Sequence, residues 1–188
     1  DIDYKGTVEV TGNVTTGFAV KAEGDIIVNG VVEGATLISG GNIVLKRGMQ
    51  GMDRGMLQAE GNITAKFLEN CKVRCKGMLK ADAILHSDVE CQENVDILGK
   101  KGLINGGSLS TYADVHATTL GSTMGASTKI KIISDKELII RANEIKAEVE
   151  NKEETLQKID EVVNRVKGQL ASNQEVLPEQ MNYLKQAT

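Results

Sequence analysis

The 188-residue chain has no tryptophan, two phenylalanines, three tyrosines and a single proline, so aromatic residues make up only 3% of it. That scarcity argues against a wide core built around large rings. No run of about 18 apolar residues occurs and no basic-then-apolar leader opens the chain, so neither a membrane span nor a signal peptide is expected, and the cytoplasm is the default location. Cationic excess is missing too. With 22 Lys and Arg against 26 Asp and Glu, a formal charge of -4 argues against a nucleic-acid partner, and stacking aromatics are scarce. Three cysteines, an odd number, do not make a disulfide framework, which agrees with a reducing compartment.

What the chain does have is glycine, aliphatics and periodicity. Nineteen of its 20 glycines precede Ser134 and only Gly168 follows, so two architectures meet there. Counting in sixes from Val8 gives Val8, Val14, Val20, Ile26, Val32, Ile38 and Val44 without a miss. A second run gives Val73, Leu79, Leu85, Cys91, Ile97, Leu103, Leu109 and Val115, and between the two a Gly-rich stretch from Arg47 to Gly55 shifts the phase. A longer period overlies the six: Gly24-Asp25-Ile26, Gly41-Asn42-Ile43, Gly61-Asn62-Ile63, Gly77-Met78-Leu79, Glu93-Asn94-Val95 and Ala113-Asp114-Val115 follow one another at 17, 20, 16, 16 and 20 residues. Three short strands with a tight corner after each make one coil of a solenoid of roughly 18 residues, which satisfies both periods. Gly, Asn and Asp turn such corners cheaply, and the polar residues before each aliphatic should stack into ladders between coils. Residues 8 to 132 then form about seven coils, a rod on the order of 34 Å long at a strand spacing of about 4.8 Å.

From Asp135 the period changes. Leu138, Ala142, Ile145, Val149, Lys152, Leu156, Ile159, Val163, Val166 and Leu170 step alternately by four and three, a heptad seam broken only by Lys152. The expected organisation is a β-solenoid over 1–133, a coiled-coil helix over 134–172, and a turn with a short return helix over 173–188. Gly168 weakens the last turns, Ser172-Asn173 mark a stop, and Pro178 suits the first turn of the return helix over 178–187. That return helix, about 15 Å long, is too short to cover a seam of roughly 50 Å, so two copies should pair their long helices.

The segments Ala22-Glu23-Gly24-Asp25-Ile26, Gly41-Asn42-Ile43 and Gly61-Asn62-Ile63-Thr64-Ala65-Lys66-Phe67-Leu68-Glu69-Asn70 resemble the flagellar assembly protein A family of bacteria. So do Ala83-Ile84-Leu85-His86-Ser87, the stretch from Gly99 to Gly107, and Leu120-Gly121-Ser122, in order and approximate spacing. The resemblance implies a right-handed β-helix similar to the bactofilins and the C-terminal domain of the division inhibitor MinC. It also implies a long helix after the solenoid and a separate domain before it. Asp1 in the place of an initiator Met then reads as the start of an excised fragment. The family connects some members to flagellar assembly or placement and carries no catalytic motif.

Candidate chemistry is thin. His86 and His116 are the only histidines, and a hexapeptide acyltransferase uses one His as general base, but the aliphatic-then-Gly hexad start of those enzymes is missing. Three His ligands for a carbonic-anhydrase zinc are not available. His86 is placed at a corner and His116 beside the inward Val115. Cys71, Cys75 and Cys91 with His86 could hold zinc, yet a small residue packed inward explains each cysteine as well. Gly99-Lys100-Lys101-Gly102 to Gly106-Gly107-Ser108 lacks the Lys-Ser/Thr pair and the following helix of a phosphate loop. The expectation is a scaffold with no catalytic residue, metal or cofactor that assembles with copies of itself or with protein partners. The alternative is a ligand-binding or acyltransferase-like solenoid with a site between subunits.

Overall fold

The computed structural model describes residues 1–123, 125–133 and 135–171. Fifteen strands form one sheet wound into coils, and every paired neighbour is parallel. They are β1 (Ile2–Tyr4), β2 (Val8–Val10), β3 (Ala19–Ala22), β4 (Ile26–Val28), β5 (Val31–Glu33), β6 (Thr36–Ser39), β7 (Ile43–Ala59) and β8 (Ile63–Cys75). After them come β9 (Leu79–Ala81), β10 (Ala83–Cys91), β11 (Val95–Ile97), β12 (Leu103–Thr111), β13 (Val115–Ala117), β14 (Thr119–Leu120) and β15 (Thr128–Ile132). Among the described residues one helix, α1 (Asp135–Ala171), follows. The chain divides into two compact units at this point, residues 1–134 and 135–188.

The coil has three faces, each a ladder of aliphatics in register. Ile2, Val20, Leu37, Leu57, Val73, Val89, Leu109 and Ile130 stack on the first. On the second stand Val8, Ile26, Ile43, Ile63, Leu79, Val95 and Val115. Val14, Val32, Met49, Leu68, Ile84, Ile104 and Leu120 make the third. About seven coils result, and the aliphatics between the end coils are almost completely withdrawn from water. Each such side chain contributes on the order of 1.5–3 kcal/mol, so the ladders are the main source of stability. A space enclosed by three short faces has room for Val, Ile, Leu and Ala but not for stacked rings, which accounts for the scarcity of aromatics.

The six-residue count holds for Val14, Val20, Ile26, Val32, Val73, Leu79, Cys91, Ile97 and Leu109, all buried. It fails at Ile38, Val44, Leu85 and Leu103, which are only half-buried. Their neighbours Leu37, Ile43, Ile84 and Ile104 point inward instead. The cause is unequal coil length. Rungs on the first face follow at 18, 17, 20, 16, 16, 20 and 21 residues, so a fixed count slips by one wherever a corner loses or gains a residue, and a slip of one turns a side chain to the other face.

The corners are built as the composition implies. Between the third and first faces the backbone passes through left-handed residues coil after coil: Gly17, Gly34, Asn70, His86 and Gly106 have φ of 86°, 48°, 47°, 48° and 73°. Gly107, also left-handed, lies so close to the backbone of Ser87 that a Cβ there would collide with it. In the longest loop of β7 both Met52 and Asp53 take positive φ, which lets the coil bulge by several residues. Before the second face runs the expected polar ladder. The Asp25 N–H donates to Thr7 Oγ1 (3.3 Å), Asn42 N–H to Asp25 Oδ1 (2.6 Å), Asn62 N–H to Asn42 Oδ1 (2.8 Å), and Met78 N–H to Asn62 Oδ1 (2.7 Å). Further along, Asp114 N–H donates to Asn94 Oδ1 (3.2 Å).

Helix α1 spans 37 residues, about 55 Å at 1.5 Å per residue. The return helix expected over 178–187, and the stop at Ser172-Asn173, lie outside the described residues.

Candidate functional site

Along α1 the heptad positions form one stripe, because alternate steps of three and four return to nearly the same side of a helix. In the isolated chain that stripe is open to solvent: Ile145 and Leu156 are 55% and 60% exposed, Val149 and Ile159 nearly as much, and Ala142 is exposed as well. Leu138 and Val163 are half-buried, while the side chains of Val166 and Leu170 lie outside the described residues. Lys152 is held along the helix by Glu148 (3.0 Å), one turn earlier. Val162, exposed beside the seam, widens the stripe. It follows from its angular position three residues after Ile159, a signal the strict heptad count passes over.

The ends of the solenoid are the other unpartnered surfaces. β1 and β2 each pair on one side only, with β3 and β4. Ile2 and Tyr4 are 44% and 58% exposed, and a cavity of about 240 Å³ opens among Ile2, Val10, Val14, Phe18 and Val20. At the far end β15 pairs with β12 on one side, and its Ile132 is 58% exposed. The cover of the last coil expected from the chain between Lys131 and Leu138 falls partly on residues outside the described ones. On the outer side of the first face a shallow groove is lined by Lys72, Arg74, Asp88, Glu90, Ser108 and Ser110. Its charges answer one another: Arg74 pairs with Glu90 (3.2 Å) and Ser108 donates to Asp88 (2.8 Å).

The histidines and cysteines do not converge. His86 is exposed at a left-handed corner and His116 is exposed beside Val115, its Nδ1 2.8 Å from Asp96 on the coil before. All three thiols are buried in the core, so His86 is not placed to complete a cluster with them. Among the described residues no group of three or more His, Cys, Asp or Glu is arranged to hold a metal ion. Cys71 lies against the Ser87 hydroxyl (3.5 Å), and burial pushes its thiol up from 9.0 to about 11. Cys75 and Cys91 stack in consecutive coils with their sulfurs 3.2 Å apart. Gly99 to Gly102 turns from β11 into β12, a strand rather than a helix, and the Gly102 carbonyl accepts from the Thr118 and Thr119 N–H groups (2.9 and 2.8 Å). The glycines there serve a corner.

A family model described as the Flagellar Assembly Protein A beta solenoid domain matches residues 1–188. The chain belongs to this family. No curated protein and no solved structure matches it. For a Flagellar Assembly Protein A beta solenoid chain the coiled architecture is the family's own, and the match extends over α1 and the residues that follow it. No helix among the described residues is long and apolar enough to cross a membrane.

Proposed function

We propose that this chain is a non-enzymatic scaffold in which a right-handed β-helix presents surfaces and α1 joins two copies as a coiled coil. In this reading it serves flagellar assembly or placement in the cytoplasm, through protein partners rather than nucleic acid. The reading is carried by the open apolar stripe on α1 from Ile145 to Ile159. Apolar stripes of that length usually find another chain, because leaving them wet forfeits about 25 cal/mol for each Å² that a partner would cover. The family match, free thiols at all three cysteines and a net charge of -4 support the rest. Light scattering on residues 1–188 and on residues 1–133 at tens of micromolar tests it: a dimer that becomes a monomer without the helix is expected, and a monomeric 1–188 would overturn the pairing.

A further inference from the structure

Cys75 and Cys91 end β8 and β10 at the same rung position, 16 residues and one coil apart. Their sulfurs are 3.2 Å apart and both residues are buried. On other buried rungs of this column the position is held by alanine, Ala22 and Ala59, or by a hydroxyl, Ser39 and Thr111. Ser39 Oγ donates to the Gly24 and Asn42 carbonyls (2.7 and 3.1 Å), and Thr111 Oγ1 to the Glu93 carbonyl (2.6 Å). Cys91 Sγ does the same work toward the Gly77 carbonyl (3.0 Å). A hydroxyl therefore meets the needs of the corner, and two successive thiols add a chemistry the corner does not require.

In-register parallel strands bring the two Cα atoms to about 4.8 Å, inside the roughly 4.4–6.8 Å window for a disulfide. We propose that Cys75 and Cys91 form a redox-responsive dithiol that a hydroperoxide closes into a disulfide, stapling two consecutive coils together. The reacting thiolate is placed at Cys91 because the Cys75 S–H donates to its sulfur and supports negative charge there, although deprotonation costs Cys91 its own bond to the Gly77 carbonyl. That thiolate takes the terminal oxygen of the peroxide, the O–O bond breaks, and the oxygen left behind departs as water (or as an alcohol from an organic hydroperoxide), giving a sulfenic acid at Cys91. The Cys75 sulfur then attacks the sulfenic sulfur, the S–S bond forms, and the hydroxyl leaves as water with the Cys75 proton. Two thiols are oxidised and one peroxide is reduced. A dithiol reductant reverses it. Cys71, with Ser87 rather than a second sulfur beside it, stays outside the reaction.

The test treats the folded 188-residue chain with millimolar hydrogen peroxide, then unfolds and alkylates it for peptide mapping by mass spectrometry. A linked pair of peptides carrying Cys75 and Cys91, lighter by two hydrogens, is expected, with Cys71 alkylated and full reversal by dithiothreitol. The oxidised chain should melt several degrees above the reduced one, since the link closes a loop of about 16 residues. Cys71→Ala should keep that shift and Cys91→Ser should lose it. Three alkylated cysteines after peroxide, a link through Cys71, or a sulfinic Cys91 without any link would each overturn the proposal. The mapping decides even if a variant fails to fold, and its outcome is independent of whether α1 pairs.

Discussion

Val20 and Ile26 are the second rungs of their ladders and Ile97 lies between Ala81 and Ala117 on the coils either side, all three buried. Placing Asp at any of them buries a carboxylate without a partner, which should cost at least about 3 kcal/mol and in most cases abolish folding. Asp at Glu9 or Lys21, whose side chains face solvent, should stay within about 0.5 kcal/mol. Circular-dichroism melts separate the two sets, and equal tolerance would mean the register is wrong. Cys71 offers a titration instead. Its thiol is lifted from 9.0 to about 11, mainly by burial, so in alkaline solution the unfolded chain loses this proton before the folded one does. The stabilisation is therefore complete below pH 9.0 and is lost as pH rises through about 11, a loss of about 2–3 kcal/mol in all. Wild-type protein should lose stability faster than Cys71→Ala across that window, and parallel pH profiles would contradict the burial assigned here. At this scale the sequence is legible where a coil keeps its length. Val32 is read correctly, but the next position in the count, Ile38, is wrong by one because the step from Val20 to Leu37 is a residue short.

Among the elements, the triads ending in Ile26, Ile43, Ile63, Leu79, Val95 and Val115 predict one face, since an Asn or Asp before the aliphatic (Met78 before Leu79 excepted) marks both the corner and the strand that leaves it. The third face has no such marker. Its corners are closed by backbone bonds and by left-handed residues as different as Gly34, Asn70 and His86, so chemistry alone does not announce them. The heptad of α1 is equally plain, and what it leaves unsaid is which of its apolar residues are covered. Lys152 carries a specific expectation there. It interrupts the seam and pairs with Glu148 on its own helix, an exposed bond worth no more than about 0.5 kcal/mol. Replacing it by Leu extends the apolar stripe, so on the proposed pairing of α1 Lys152→Leu should raise the melting temperature and relax the choice of register or oligomer size. A lower melting temperature with unchanged mass in light scattering would place Lys152 outside the contact.

Within the solenoid, stability is a sum over coils and their neighbours, and the first and last coils are the weak members because each pairs with strands of a neighbouring coil on one side only. An apolar cavity among Ile2, Val10, Val14, Phe18 and Val20 opens at the first coil. Rod-to-rod cross-links in residues 1–133 should therefore involve the segment from Val8 to Val14, and cross-links confined to β15 would count against this. The exposed Ile132 at the other end was not foreseeable from the sequence, since whether a strand is covered depends on what lies beyond it. The polar ladder before the second face adds a constraint of another kind. From Thr7 through Asp25, Asn42 and Asn62, and again at Asn94, the side-chain oxygen belongs to the earlier coil and the N–H to the later one. Such a row of bonds is an arrow. A newcomer that extends it after Asp114 has only to bring an amide hydrogen, whereas one arriving ahead of Thr7 must bring an oxygen. Two rods meeting by like ends would set donor row against donor row or acceptor row against acceptor row, and only a joint of unlike ends carries the arrow across without a break.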